Sequence, residues 1–225
     1  MMKRWTSAGL ILFLTVGMLL AGCSSKPYGH YRDDQMIGFI NGLNEQEKKI
    51  VFDISEWTKR DEPGPAIEDW GVEYEALVLP STRINNEAGD KLKWEDLKQG
   101  QMVQINPSRT EKITDTPDEL IVLSMSNEQL FKRAGLLASK KGSYRTTVIY
   151  EDGKGEPFDI NEIEKEASIM LKGGYSMMAY NPNNVLDIKK MFNIEQFPVI
   201  LVFNTEKLAL KTDRLEDAVS FLKAK

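Results

Sequence analysis

The chain has 225 residues, of which 41% are hydrophobic and 28% are charged, and its formal net charge is −5. This composition is close to that of soluble globular proteins, which excludes a chain that is disordered throughout or that crosses a membrane many times. The length is sufficient for two small domains. Basic residues are interleaved with acidic ones, as in Lys59-Arg60-Asp61-Glu62. Because phosphate binding needs clustered positive charge, nucleic acid is excluded as a partner.

The first 22 residues have the parts of a signal peptide. Lys3 and Arg4 form a basic start, an apolar run extends from about residue 8 to residue 20, and small residues precede Cys23. Such a run engages the export machinery but is too short to remain as a spanning helix. Removal of Lys3 and Arg4 with the leader would lower the formal charge to −7. The alternative is an uncleaved anchor with an incidental cysteine.

The segment Leu20-Ala21-Gly22-Cys23 resembles the lipobox of bacterial lipoproteins. In that family the cysteine sulfur receives a diacylglyceryl group, and cleavage makes the cysteine the new N-terminus. The resemblance implies lipidation at Cys23 and a location at the outer face of the cytoplasmic membrane. Two acyl chains anchor stably, since each buried methylene contributes about 0.8 kcal/mol. Residues 23–34, which are small and polar at their start, are expected to be a flexible tether.

Cys23 is the only cysteine, so its lipidation would leave the folded part without a thiol. No disulfide, thiolate nucleophile or cysteine-ligated metal is then available. The sole histidine, His30, lies beside the tether, and the sequence has neither a Gly-x-Ser-x-Gly elbow nor a phosphate-binding glycine loop. We therefore predict no metal, no cofactor and no catalytic residue.

Residues 35–127 are predicted to form a small, OB-like β-barrel domain. Alternation in Ile50, Phe52 and Ile54, after an apolar segment at 36–40 and a polar turn at 44–47, predicts a hairpin. Further strands are predicted at 74–79, 101–105 and 119–124, with a helical turn at 93–97. The run from Trp94 to Val103 resembles the approach to a barrel strand in OB-like domains of small Gram-positive lipoproteins. That resemblance implies a fold that binds oligosaccharides, oligonucleotides or protein edges without choosing among them.

Trp57 and Trp70 border the longest irregular segment of this domain. They are the candidate ligand-binding residues, because aromatic rings flanking a long loop can form a sugar site. The alternative is that both rings close off the core, which is the commoner role of large aromatic side chains.

Residues 128–143 are predicted to be a linker, with a helix over 127–139, and residues 144–225 a second domain. Strands are expected at 145–150, 175–180 and 199–203, with a hairpin partner at 207–210. Helices are expected at 161–171, 185–192 and from about residue 215. The overall fold class is thus a two-domain α+β or α/β chain.

The run from Phe192 to Phe203 resembles the thioredoxin family, in which a helix end and a short loop lead to a cis proline and an apolar central strand. The resemblance implies a thioredoxin-like domain and a cis peptide bond at Phe197-Pro198. The chain departs from the family where Cys-x-x-Cys is expected, since residues 151–157 contain no cysteine. Thiol–disulfide exchange is then excluded, and Pro198 is interpreted as a structural feature rather than a substrate contact.

The expected function is that of a membrane-anchored, extracytoplasmic lipoprotein that binds or scaffolds without catalysis. Its partners would be the membrane, through the lipid, and an envelope protein or a cell-wall component. The alternative is an enzyme with unconventional chemistry in the 151–157 loop, which predicts convergent polar groups with perturbed pKa values near Pro198. A transport-linked solute receptor is less favoured, because such receptors need two comparable lobes. A cavity between the two domains would distinguish a binder from a pure scaffold.

Overall fold

The computed structural model describes residue 32 and residues 34–60, 71–108, 114–154 and 173–225. The signal peptide, Cys23, His30, Trp70 and the helix predicted at 161–171 lie outside these ranges. Within them the chain is a mixed α+β structure with one seven-stranded and one four-stranded sheet. The strands are β1 (Met36–Asn44), β2 (Lys49–Asp53), β3 (Glu73–Leu77), β4 (Arg83–Asn86), β5 (Met102–Asn106), β6 (Thr114–Asp115), β7 (Glu119–Leu123), β8 (Arg145–Tyr150), β9 (Tyr175–Ala179), β10 (Val199–Phe203) and β11 (Leu208–Thr212). The helices are α1 (Ser55–Thr58), α2 (Asn127–Arg133), α3 (Ile188–Met191) and α4 (Leu215–Lys223), and a 3-10 turn spans Trp94–Asp96.

The first sheet has the order β4-β7-β5-β1-β2-β3-β6. Its inner strands pair in antiparallel fashion, whereas β4 and β6 join the edges in parallel. These two edge strands do not pair with each other within the described ranges, so the sheet is open. Because the sheet does not close, the prediction of a small β-barrel for residues 35–127 is wrong in this respect. It rested on five strands and missed β4 and β6, which are short and carry polar residues such as Asn85 and Asn86.

The core of the first sheet follows from alternation along its strands. Every second residue of β2, β3 and β5 points to the same face, which is the behaviour of a half-buried antiparallel sheet. Phe52 and Tyr74 meet across β2 and β3 with ring centroids 6.2 Å apart. The core residues from these three strands are Ile50, Phe52, Tyr74, Ala76, Val103 and Ile105.

The second sheet has the order β11-β10-β8-β9, with β8 and β9 parallel and β10 antiparallel to both of its neighbours. All five residues of β10 are buried, as expected for a central strand that is covered on both faces. Leu201 and Phe203 face the core that contains residues of α2 and α3, while Ile200 and Val202 face α4. The peptide bond between Phe197 and Pro198 is cis, as is that between Asn106 and Pro107.

The helix that joins the two sheets is shorter than the predicted 127–139. It begins after Ser126, whose Oγ accepts a hydrogen bond from the Gln129 N–H, while the Gln129 side chain accepts one from the Ser126 N–H. This capping box defines the start. The helix ends at Arg133 because Gly135 has a φ of +65° and turns the chain away.

Candidate functional site

A backbone bridge joins the two sheets. The Gln99 N–H donates to the Asn183 carbonyl at 3.0 Å, and the Val185 N–H donates to the Gln99 carbonyl at 2.8 Å. Gln99 and Asn184 are thereby paired as in a parallel sheet. Backbone hydrogen bonds of this kind hold the loop before β5 against the loop before α3.

Gly100 allows this close approach for two reasons. Its φ is +84°, in the region that side chains with a Cβ rarely adopt. A Cβ on this residue would also stand 3.1 Å from Cγ1 of Val185, on the opposite side of the bridge. A larger residue at this position would therefore push the two loops apart.

An ion pair makes a second connection between the sheets. Nη2 of Arg133, at the end of α2, donates to Oδ2 of Asp53 at 2.9 Å. The guanidinium carbon lies 4.4 Å from the centroid of the Phe39 ring. The two charged side chains are 31% and 24% exposed, so this pair is shielded from solvent more than an ordinary surface pair.

Asp53 is held in its charged form by its neighbours. Partial burial acts to raise the pKa of this carboxyl, but hydrogen bonds from the side chain and backbone of Ser55 and from Arg133 outweigh burial and lower the pKa. The Ser55 hydroxyl donates to Oδ1 at 2.6 Å, and the Ser55 N–H donates to the same oxygen at 3.1 Å. Three donors thus converge on one carboxylate.

Replacing Asp53 with asparagine is expected to lower the free energy of unfolding by about 1–3 kcal/mol at pH 7, because charge-assisted hydrogen bonds are lost and Arg133 is left unpaired. A lowered folded-state pKa stabilises the fold above the unfolded-state pKa of about 3.9. That contribution disappears as the pH falls through the folded-state value. The difference between wild type and variant should be constant near neutrality and shrink in acid, as measured by urea unfolding at several pH values.

Asp34→Asn is the matched control, since Asp34 pairs with Arg32 at 2.6 Å but both side chains are largely exposed. Exposed pairs contribute about 0–1 kcal/mol. An equal effect of both substitutions would mean that the Asp53 pair has no special role at the junction.

A cavity of about 260 Å³ opens beside the bridge, and we call it the junction cavity. Its wall comes from the first sheet, from α2, from β9 and from the loop before α3. Apolar side chains form most of it, while amide side chains and the Arg133 guanidinium supply polar groups. The lining residues are Ile40, Asn41, Gln99, Gly100, Leu130, Arg133, Ala134, Met178, Asn184, Val185, Leu186 and Ile188.

A second recess, of about 340 Å³, adjoins the bridge and shares Gln99 with the junction cavity. We call it the Trp94 recess. It combines one half-buried indole with carboxylate and amide side chains, and its lining comes from the end of β1 and the turn after it, from the segment before β5 and from the loop after β9. The lining residues are Gly42, Leu43, Glu45, Trp94, Glu95, Leu97, Gln99, Asn181 and Asn183.

The structure places the predicted ligand residue Trp57 in the first core, at 4% exposure. Its Nε1 donates to the Arg32 carbonyl at 3.1 Å, and the Arg60 guanidinium covers its ring at 4.1 Å from the centroid. This is the packing alternative, and Trp57 offers no free face to a ligand. The sequence pattern placed Trp94 only in the approach to a strand, and it did not indicate that this residue lines a recess.

Among the described residues near Pro198 the charged groups of Glu151 and Asp187 have partners, whereas residues 155–157 of the predicted loop lie outside the described ranges. The Tyr180 ring stacks on Phe197 with centroids 5.1 Å apart, and its hydroxyl donates to Asp187 at 3.4 Å. Glu151 forms an ion pair with Lys154, which is the main cause of the lowered pKa of Glu151. Burial, followed by the charge of Asp187, raises the pKa of Tyr180. Both shifts lead away from neutrality, whereas a general acid or base needs a pKa near the working pH.

Among the described residues, no group of three or more His, Cys, Asp and Glu side chains is arranged to hold a metal ion. No helix in these ranges has the length and apolar character needed to cross a membrane. Comparison of the chain with protein-family models, curated proteins and solved structures gave no match.

Proposed function

We propose that the chain is a lipid-tethered, extracytoplasmic binding protein of a bacterial cell envelope, without catalytic activity, and that its ligand enters the junction cavity. The observation that carries this proposal is a cavity whose wall is shared by both sheets and by α2. A scaffold that only displays surfaces needs no such space, whereas small-molecule sites occur preferentially where two structural units meet. Cys23, in its lipobox-like segment, supplies the tether in this proposal.

For residues 144–225 the proposed fold is a thioredoxin-like domain without redox function. Three features support it: two parallel strands, a central strand antiparallel to the first of them, and a C-terminal hairpin followed by α4. The cis bond before Pro198 stands directly ahead of the central strand. Residues 151–157 lack cysteine, so the domain would serve as one wall of a binding site.

The chemistry of the wall indicates an amphipathic ligand. Leu130, Met178 and Leu186 favour apolar groups, and the Arg133 guanidinium retains donors beyond the one bonded to Asp53. A volume of about 260 Å³ lies just below the range of roughly 300–1,000 Å³ found for small-molecule pockets. The ligand should therefore be small, largely apolar and anionic at one end.

The dye 1-anilinonaphthalene-8-sulfonate tests this proposal, because it has apolar rings and one anionic group. The mature chain is expected to bind it at a single saturable site with enhanced fluorescence. Ala134→Phe should weaken binding by about tenfold or more, equivalent to about 1.4 kcal/mol, because the larger ring fills the cavity. Met178→Phe is a second filling variant on a different element.

Leu79→Phe is the matched control, since Leu79 is 46% exposed and does not line the cavity. Circular dichroism checks that each variant is folded. Absence of saturable dye binding, or equal binding by the filling variants and the control, would refute a ligand site at the junction.

A further inference from the structure

We propose that the Trp94 recess binds a neutral saccharide, of about the size of a disaccharide, at a site distinct from the junction cavity. The proposal adds a second ligand class to the binding role proposed above, and it rests on a different set of side chains. Only Gln99 lines both cavities.

The recess offers the two kinds of group that a sugar ring needs. Sugar rings present apolar C–H faces, which pack on an aromatic ring, and hydroxyl edges, which both donate and accept hydrogen bonds. Trp94 supplies the aromatic ring. Glu45 and Glu95 supply acceptors, while the amides of Gln99, Asn181 and Asn183 supply both donors and acceptors.

Part of this hydrogen-bonding capacity is unused. The side chains of Glu95 and Asn183 make no hydrogen bond with any residue in the described ranges. The side-chain oxygen of Asn181 accepts from the Asn183 N–H at 2.9 Å, which orders the loop and leaves the Asn181 NH₂ group available. A side chain that is held in place before the ligand arrives, as Asn181 is, lowers the cost of binding a polar ligand.

Charge selects among saccharides. The two charged side chains that line the recess, Glu45 and Glu95, are both acidic. Lys48 lies 3.8 Å from Glu45 and offsets one of these charges, but both of these side chains are well exposed to solvent. Uronic acids, sialic acids and phosphorylated sugars would be repelled, so a neutral sugar is the ligand class that fits.

Lys48 contacts the Trp94 ring in this structure. Its ammonium group lies 4.8 Å from the centroid of a Trp94 ring, and its side chain is 48% exposed. An exposed cation–π contact contributes only about 0.5–1 kcal/mol, so a ligand can displace it. Lys48 has a φ of +49°, and asparagine is a replacement other than glycine that tolerates this conformation.

The saccharide would touch loops on both sides of the bridge. Trp94 and Glu95 belong to the turn before β5, whereas Asn181 and Asn183 precede the bridge from the other side, where the Asn183 carbonyl accepts from Gln99. Binding is therefore expected to depend on the intact junction. The volume of the Trp94 recess, about 340 Å³, falls within the range of roughly 300–1,000 Å³ found for ligand pockets.

Isothermal titration calorimetry of the mature chain tests the proposal, with chitobiose, cellobiose, maltose and lactose as neutral probes and cellobiouronic acid and the hyaluronan disaccharide as anionic probes of the same size. At least one neutral disaccharide is expected to bind, and the anionic sugars about tenfold more weakly or not at all. Trp94→Ala and Asn183→Ala should each weaken binding by about tenfold, equivalent to about 1.4 kcal/mol. Trp94→Phe should retain part of it, and Lys48→Asn should leave it unchanged or strengthen it.

Leu79→Ala is the control for a substitution outside the recess. Asn183→Ala keeps the test valid if Trp94→Ala fails to fold, because Trp94 also packs on the first core. No binding of any neutral probe, or equal binding by the wild type and Asn183→Ala, would overturn the proposal. Dye binding that persists in Asn183→Ala would show that the junction cavity is a separate site, so the two proposals can fail independently.

Discussion

Replacing Cys23 with alanine is expected to abolish lipid labelling of the protein completely. The sulfur is the only atom in the chain that can accept a diacylglyceryl group as a thioether, since Cys23 is the only cysteine. Two acyl chains at about 0.8 kcal/mol per buried methylene hold a protein on a membrane stably. Metabolic labelling with an alkyne fatty acid should mark the wild type but not the variant. Intact-mass measurement should find the leader still attached to the variant.

Ser24→Ala is the neighbouring control and should keep both the label and the cleavage, because its hydroxyl is not the acceptor. The opposite outcome is a wild-type protein whose mature form carries an unmodified leader or a free thiol at Cys23. That result would remove the proposed location. It would also leave a free thiol in the chain and reopen the redox chemistry that lipidation of Cys23 would exclude.

The inner strands of both sheets could be predicted because each carries its own pattern. Ile50 and Phe52 are buried and alternate with half-buried neighbours. Val199–Phe203 is apolar throughout, as its burial on both faces requires. Arg145–Tyr150 was predicted with the bounds that the structure has. In each case the local sequence already reflects the surface that it buries.

The two edge strands of the first sheet, β4 and β6, could not be predicted from their local sequence pattern. β6 has two residues, and Ile84 is the only buried residue of β4. Both pair in parallel with partners far away in the sequence, β4 with β7 and β6 with β3. Their existence is set by the neighbouring strand rather than by their own propensity. The patterned strands alone therefore predicted a barrel, whereas the structure has an open sheet with two further strands.

The contacts between the two sheets could not be predicted from the sequence either, because they join residues that carry no local pattern. Gln99 and Asn183 are distant in the chain, and they meet through backbone groups, which every residue possesses. Gly100 was the one available signal, because a positive φ and a close neighbour both require glycine there. Aromatic residues were also ambiguous. Trp57 stood beside a long loop and proved to be buried, whereas Trp94 lines an open recess.

Replacing Phe203 with alanine is expected to destabilise the second sheet by about 3–5 kcal/mol, the usual cost of removing a buried phenylalanine ring. Phe203 is fully buried, and its centroid lies 5.5 Å from that of Phe131 and 5.6 Å from that of Phe192. The loss would leave a cavity between α2, α3 and β10. Urea unfolding followed by far-ultraviolet circular dichroism should show a transition at clearly lower urea.

Tryptophan fluorescence gives the same experiment a second readout. Trp57, Trp70 and Trp94 all precede the joining helix, and residues 128–225 contain no tryptophan. If the two sheets form separate domains, as the sequence predicts, they should unfold separately once one is weakened, so the fluorescence midpoint of Phe203→Ala should change little. Phe52→Ala, in the fully buried first core, should shift the fluorescence instead. If the circular dichroism and fluorescence transitions of Phe203→Ala coincide, the chain unfolds as one cooperative unit. The contacts at the junction would then couple the two sheets strongly enough that neither remains folded without the other.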